Sequence, residues 1–387
     1  MLDLVVRDRA RFGAGAVVTL PDLVHEAGGR RAFLVTDNGV VGSGVSERVL
    51  EILAEAGVES GLFDRVEPNP GTASVAHGTA ALDGFGVEGT VVIGLGGGSS
   101  MDTAKVVALN ATNPGDILSL GYHEPLLTQG LAVIAVPTTA GTGAETNTYG
   151  VITDEGAGRK AYIGHPSVLP RAALLDPDLT LALPPGATAA TGVDAMTHSL
   201  ESLLSRNPNA FAEAMALHVI RTVAEWLPRA VDDGTNVEAR SQMLMAAHLA
   251  GLGQASGTGV GAVHAIGHAI GTRGQLPHGT ALACVLPEVL ATYLPVRTRE
   301  LALVGVALGV ASDADPTGAA AEAAIDGIDT FLRRLGQRKT LTELGIAVDM
   351  ESEIAADAID DAAIANSPRL PSVEDVAGIL AAVRGGP

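Results

Sequence analysis

TVVIGLGGGSSMDTAK, residues 90–105, joins a run of β-branched and apolar residues to a glycine turn and then to a helical pattern. A strand, a glycine turn and a helix together make a phosphate cradle. The glycines let the backbone approach an anion, and the helix N-terminus offers unpaired N–H groups at the positive end of its dipole. No Gly-Lys-Ser/Thr triplet follows, so this is not a P-loop. Nor is it the usual dinucleotide fingerprint, where the glycines come first and an acidic residue lies about 20 positions later. The order here is inverted: Asp37 closes the strand RAFLVTD (31–37) well upstream of the glycines.

Working outward from the turn, the first half of the chain alternates. VSERVLEILAEAG (45–57) has helical spacing and a terminal glycine, GLFDRV (61–66) follows, and a helix is expected over about 73–82. The strand at 90–96, a helix from about Met101 and the strand LAVIAVPTT (131–139) continue the series. This βαβα order predicts a parallel sheet covered on both faces. A second loop, PTTAGTGAE (137–145), offers the hydroxyls of Thr138, Thr139 and Thr142 beside Gly141 and Gly143. Polar glycine loops at the ends of successive parallel strands, here running through Gly96, Gly97, Gly98 and Ser99 and through the threonines, sit where such sheets bind nucleotides.

After DPDLTLALPPG (176–186) the pattern changes to long Ala/Leu-rich segments, so residues 1–182 read as an α/β dinucleotide-binding domain and 183–387 as an all-helical domain. A length of 387 residues agrees with two domains. With 24 basic against 44 acidic residues the formal charge is −20, which repels phosphate backbones and anionic lipid surfaces and argues against nucleic-acid and membrane partners. Cys284 is the only cysteine, which excludes a disulfide framework and a CxxC zinc site and points to the cytoplasm. The opening MLDLVVRDRARFGAG lacks the apolar core and cleavage site of an export signal.

The helical half carries the histidines that matter. DAMTH places Asp194 and His198 at i, i+4, on one side of a helix, and HAIGH places His264 and His268 at the same spacing. His278 follows in a turn between Pro277 and Gly279. One carboxylate with two or three imidazoles suits Zn²⁺ or Fe²⁺ and leaves a coordination position for substrate. His218 and His248 read as ordinary residues of Leu/Ala-rich helices, and His25, His77, His123 and His165 have no partners in sequence.

GGGSSMDTAK (96–105), PTTAGTGAE, TGVDAMTHSLES (191–202) and HAIGHAIGTRGQLPHG (264–279) together resemble the signatures of the iron-containing, or group III, alcohol dehydrogenase family. VEPNP (66–70) and NSPRLPSVEDVAGIL (366–380) resemble its flanking segments. The resemblance implies a Rossmann-like dinucleotide-binding α/β domain, an α-helical metal domain and a cleft between them, as in dehydroquinate synthase. It implies Asp194, His198, His264 and His278 as metal ligands and His268 beside the substrate and nicotinamide. It also implies dinucleotide contacts at Asp37, Asn69, Gly97, Gly98, Ser99, Asp102, Thr138, Thr139, Lys160 and Leu179.

The activity implied is alcohol–aldehyde or alcohol–ketone interconversion: a divalent metal polarises the alcohol oxygen, hydride passes to NAD, and His268 relays the proton. Asp37 favours NAD over NADP, because a 2′-phosphate would meet its carboxylate with no arginine immediately after it. A homodimer is also implied by the resemblance. Arg273 and Gly274 stand where the family often carries aromatics, and Asn147 where it commonly has Thr, so the substrate is left open. Related maleylacetate reductases lack an acidic residue at the position of Asp102. A non-redox enzyme of the dehydroquinate-synthase type, a reductase of an acidic aldehyde and a ligand sensor are the competing readings. The first lacks the basic residues a polyanionic substrate needs, and the last is expected to lose a ligand or His268.

Overall fold

The computed structural model describes residues 9–122, 124–125 and 128–385; the extreme amino-terminus and His123 lie outside the described residues. The chain divides into two compact units, one ending at Leu183 and the other running on from Pro184.

The first unit is built on a six-stranded parallel sheet. Its strands are β1 (Ala10–Phe12), β2 (Arg31–Val35), β3 (Glu59–Phe63), β4 (Thr90–Gly96), β5 (Val133–Pro137) and β8 (Ala172–Leu175), in the order β1-β8-β5-β4-β2-β3. β4 and β5 are buried along their whole length, which is why they read as continuous apolar runs rather than alternating ones. Alternation survives in the destination of each side chain. Ala32 and Leu34 of β2 join a core with Val91, Ile93 and Leu95, whereas Phe33 and Val35 join a separate core with Val92 and Val107. Helices Leu20–Glu26 and Val45–Glu55 cover the first face through Val24, Val49 and Leu53. Helices Thr72–Phe85 and Gly98–Asn110 cover the second. An antiparallel hairpin, β6 (Tyr149–Asp154) and β7 (Arg159–Gly164), stands apart from the sheet.

The strand order sets the position of a ligand crevice. The chain goes from β2 outward to β3 and then returns to the other side of β2 with β4. The C-terminal ends of β2 and β4 therefore flank the point where the winding reverses, and open parallel sheets bind ligands there.

The second unit is helical. Pro184 and Pro185 open helix Pro185–Leu204, where a fixed φ and a missing N–H suit the first turn. From Gly192 to Leu204 every residue is buried, so this helix is enclosed on all sides. Helix His278–Tyr293 packs beside it, and helix Ala262–Gly274 packs on helix His278–Tyr293. Among the described residues no helix is long and apolar enough to cross a membrane.

Candidate functional site

At the end of the sheet, the glycine turn begins the helix earlier than its sequence suggests: the helix starts at Gly98, with Gly97 as a cap that has no side chain to cover the first N–H groups. Gly96 has φ 146°, and a Cβ there would lie 2.6 Å from Ser100 Oγ and 3.1 Å from Asp37 Oδ2. Its absence lets the two side chains meet: Ser100 Oγ donates to Asp37 Oδ2 at 2.9 Å, across the point where the winding reverses. The other oxygen of Asp37 accepts the N–H groups of Gly39 (2.9 Å) and Val40 (3.1 Å), capping helix Asn38–Gly42. The carboxylate is half-buried, already holds three donors, and retains acceptor capacity for one more.

The second loop closes on the first. Thr138 N donates to Gly96 O at 2.9 Å, and a Cβ on Gly98 would lie 2.8 Å from Thr142 Cγ2. Thr139 presents a buried hydroxyl beside Gly97 that has no hydrogen-bond partner. Asp37, Gly96, Gly97, Gly98, Ser99, Thr138, Thr139 and Thr142 thus share one end of the sheet. Asn69 and Lys160 form a second group: Lys160 Nζ donates to Asn69 Oδ1 (3.0 Å) and Thr153 Oγ1 (3.1 Å).

Two expected contacts look different in the structure. Asp102 Oδ2 accepts the N–H of Val151 at 3.0 Å, and Oδ1 pairs with Lys105 Nζ at 2.9 Å, so the carboxylate has protein partners on both oxygens. Lys105 is fully buried and also donates to Ala144 O (2.9 Å) and Asn147 Oδ1 (2.7 Å). Asn147, the departure noted in sequence, is therefore the acceptor that anchors the threonine loop to this lysine. Leu179 lies in the apolar core with Leu174 and Val136.

In the helical unit, Asp194, His198 and His264 each offer a ligand atom within 4.8 Å of the others. Asp194 Oδ1 is the hub: His198 Nδ1 lies at 3.5 Å, His264 Nε2 at 3.6 Å and His278 Nε2 at 3.5 Å. These separations are too long for hydrogen bonds. They match the edge of a tetrahedron with metal–ligand bonds of 2.0–2.1 Å, about 3.4 Å. Asp194 Oδ1, His198 Nδ1 and His264 Nε2 are also buried with no hydrogen-bond partner, an arrangement that is unfavourable unless a cation satisfies all three. The donor set fits a divalent metal.

Burial would raise Asp194, but the surrounding imidazoles of His198, His278 and His264 hold it well below its ordinary range. Burial pushes His198 down to about 4, which keeps its ring neutral with a lone pair to give. Burial opposes protonation of His264 too, yet the Glu201 carboxylate beside it pushes this residue up to about 9. Glu201 Oε2 accepts from His264 Nδ1 at 2.6 Å and its Oε1 accepts the N–H of Val263 at 2.7 Å, which fixes the ring and turns Nε2 toward Asp194. His278 opens its helix at the first position. The next residue, Gly279, touches the neighbouring backbone so closely that a Cβ would lie 1.9 Å from Ala190 O.

His268 lies beside this cluster, stacked on His278 with ring centroids 5.2 Å apart, and its Nδ1 is 2.7 Å from Asp361 Oδ2. Burial lowers His268, with Asp361 working in the opposite direction. Arg273 is engaged by its own neighbours: Nε donates to Asp357 Oδ2 at 2.7 Å and the guanidinium also pairs with Glu353. His248 is buried, and His77 and His218 are exposed on helices. Glu201, Asp361, Ser100 and Lys105 were not anticipated as members of these sites. Only Glu201 had a local signal, since it continues the spacing of Asp194 and His198 by one further turn.

A glycine-turn parallel-sheet unit and a three-histidine, one-aspartate cluster on buried helices define a metal-dependent, dinucleotide-linked oxidoreductase architecture. Residues 8–177 match the iron-containing alcohol dehydrogenase family and residues 188–383 match its carboxy-terminal part, so the chain belongs to the iron-containing alcohol dehydrogenase family. It is 32% identical over 381 residues to the NAD-dependent methanol dehydrogenase of Bacillus methanolicus, covering 98% of this chain and 99% of the relative. It is 32% identical over 378 residues to the lactaldehyde reductase of Escherichia coli K12, covering 96% and 97% of the two chains. The crystal structure of a 1,3-propanediol oxidoreductase superimposes with a TM-score of 0.94 at 33% identity, over 99% of this chain and 100% of that one.

Proposed function

We propose that this protein interconverts a small, uncharged alcohol and its aldehyde or ketone, using NAD and a divalent metal held by Asp194, His198, His264 and His278. The observation that carries the reading is the convergence of three unpartnered buried ligand atoms within 4.8 Å, with a fourth nitrogen on the same carboxylate oxygen. Iron is the metal the family name supplies, and Zn²⁺ suits the same donors. When bound, the metal supplies a Lewis acid for the alcohol oxygen and NAD supplies the hydride acceptor.

The chain's own residues do the rest. The uncapped N-terminus of helix Gly98–Asn110 and the hydroxyls of Thr138, Thr139 and Thr142 favour a pyrophosphate. Asn69 and Lys160 offer further polar groups to the dinucleotide, and the Asp37 carboxylate favours ribose hydroxyls over a 2′-phosphate. Glu201 holds His264 in the tautomer that ligates, and His268 Nε2 exchanges the alcohol proton. Ion pairs from Arg273 to Asp357 and Glu353 favour uncharged substrates over acidic aldehydes, because the guanidinium is neutralised by two carboxylates of helix Glu351–Asp360. A homodimer in the cytoplasm completes the reading, on the strength of the resemblance and the single, buried cysteine.

The test is NADH formation over a panel of primary alcohols, diols and hydroxy acids with metal-stripped protein reloaded with Fe²⁺ or Zn²⁺. His278→Ala is expected to stay folded while losing both metal and turnover. Stoichiometric metal by elemental analysis together with near-native turnover in that variant would overturn the ligand assignment.

A further inference from the structure

His268 lies on helix Ala262–Gly274 with His278 stacked on it and His264 edge-on at 5.8 Å. Its Nδ1 faces Asp361 Oδ2 at 2.7 Å. A carboxylate only accepts, so Nδ1 carries the proton and Nε2 keeps the lone pair. Asp361 is itself fixed. It is the residue between helix Glu351–Asp360 and the turn Ala362–Asn366, its side chain is only 8% exposed, and its Oδ1 accepts the N–H of Ala363 at 2.8 Å. One oxygen is tied to the backbone and the other is aimed at the histidine.

We infer that Asp361 is the positioning residue of the reaction: it fixes the tautomer and plane of His268 so that Nε2, and not Nδ1, takes the alcohol proton. The inference rests on the oxidoreductase reading for the identity of that proton. In the forward direction the alcohol loses hydride from carbon to oxidised nicotinamide and its hydroxyl proton to His268 Nε2. The products are the carbonyl compound, reduced nicotinamide and an imidazolium beside the Asp361 carboxylate, and the imidazolium then releases its proton to water.

The backbone tie gives a ranking that a merely structural role does not. In Asp361→Asn the Ala363 N–H still requires an acceptor, so the amide oxygen stays on that side and the NH₂ group faces His268 Nδ1. A ring opposite a donor must accept there, which moves the ring proton to Nε2 and blocks the reacting atom. In Asp361→Ala the ring is released and samples both tautomers. The near-isosteric Asn is therefore the more damaging change.

The experiment measures kcat and the KM for NAD in both variants, alone and in a His268→Ala background, with metal content followed throughout. Asp361→Asn is expected to lower kcat by about 10²- to 10⁴-fold, with KM for NAD and metal content unchanged. Asp361→Ala should lower it by roughly 10- to 100-fold. Neither should lower it further once His268 is gone. Long-range ¹H–¹⁵N spectra of zinc-loaded protein labelled in histidine, assigned with His268→Ala, should show an Nδ1–H ring in the native protein and an Nε2–H ring in Asp361→Asn. This readout does not require alcohol oxidation, so a native protein inactive on every alcohol but showing the tautomer switch would sink the oxidoreductase reading and leave the positioning intact. An Asn variant milder than Ala, an unswitched tautomer, or a loss that persists without His268 overturns the inference.

Discussion

Asp37 combines two tasks that different substitutions separate. Its Oδ1 caps the turn after β2 through Gly39 and Val40, and its Oδ2 holds Ser100 of the glycine turn. Asp37→Ala removes all three bonds. A lost N-cap is worth about 1 kcal/mol and a hydrogen bond to a charged acceptor about 1.5 kcal/mol, so stability should fall by about 2–3 kcal/mol. In a unit of this size that lowers Tm by roughly 4–12 °C. Asp37→Asn keeps an oxygen on the two N–H groups and an amide beside Ser100 Oγ, so Tm should hold, but the charge is gone. A unit negative charge about 4 Å from a 2′-phosphate is worth at most about 4 kcal/mol near a protein surface. Half-burial and salt reduce that to about 1.4–2.8 kcal/mol, a 10- to 100-fold rise in the ratio of kcat/KM for NADP to that for NAD. Thermal unfolding by circular dichroism and steady-state rates with both cofactors decide the matter. The reasoning is refuted if Asp37→Asn leaves the cofactor ratio at the native value, or if the native protein already prefers NADP.

Glu201→Gln should keep its amide oxygen on the Val263 N–H and turn its NH₂ toward His264 Nδ1, presenting the wrong tautomer to the metal; chelator competition should show affinity falling about 10- to 100-fold, and an unchanged affinity would count against the role. Gly279→Ala places a methyl 1.9 Å from Ala190 O and must push the His278 helix outward. With every ligand still present, displacement of about 1 Å should lower turnover on the order of 10²-fold, and native rates in that variant would contradict the close contact.

Much of the sheet was legible because β2, β4 and β5 are buried on both faces and so appear as short apolar runs. The start of the glycine helix was less so. Glycine is a poor helix former, which places Gly98 in the turn on propensity, yet it is the first helical residue, at a position where a Cβ would collide with Thr142. The β6–β7 hairpin was not read at all, since Gly150 and Gly164 and the polar residues Thr153, Asp154, Arg159 and Lys160 leave no sustained apolar run. The i, i+4 pairs Asp194/His198 and His264/His268 were legible because helix geometry alone brings each to one side. Ser100 and Asp361 were not, because their partners lie 63 and 93 positions away and only tertiary packing joins them. Leu179 shows the limit of a motif position: it implied a cofactor contact, and the side chain is also part of the apolar core, a packing role that spacing alone does not reveal.

Helix Pro185–Leu204 has a consequence for how an ion comes and goes. Because every residue of it from Gly192 onward is buried, its amide hydrogens should exchange mainly when the surrounding helices part, and the side chains of Asp194 and His198 are held on the same slow clock. His278 keeps 33% of its side-chain surface exposed, against 7% or less for the other three ligands. On the proposed ligand set, three residues are fixtures and the fourth is a latch: an ion is expected to enter and leave past His278, at a rate set by the opening of one helix end and not by unfolding of the bundle.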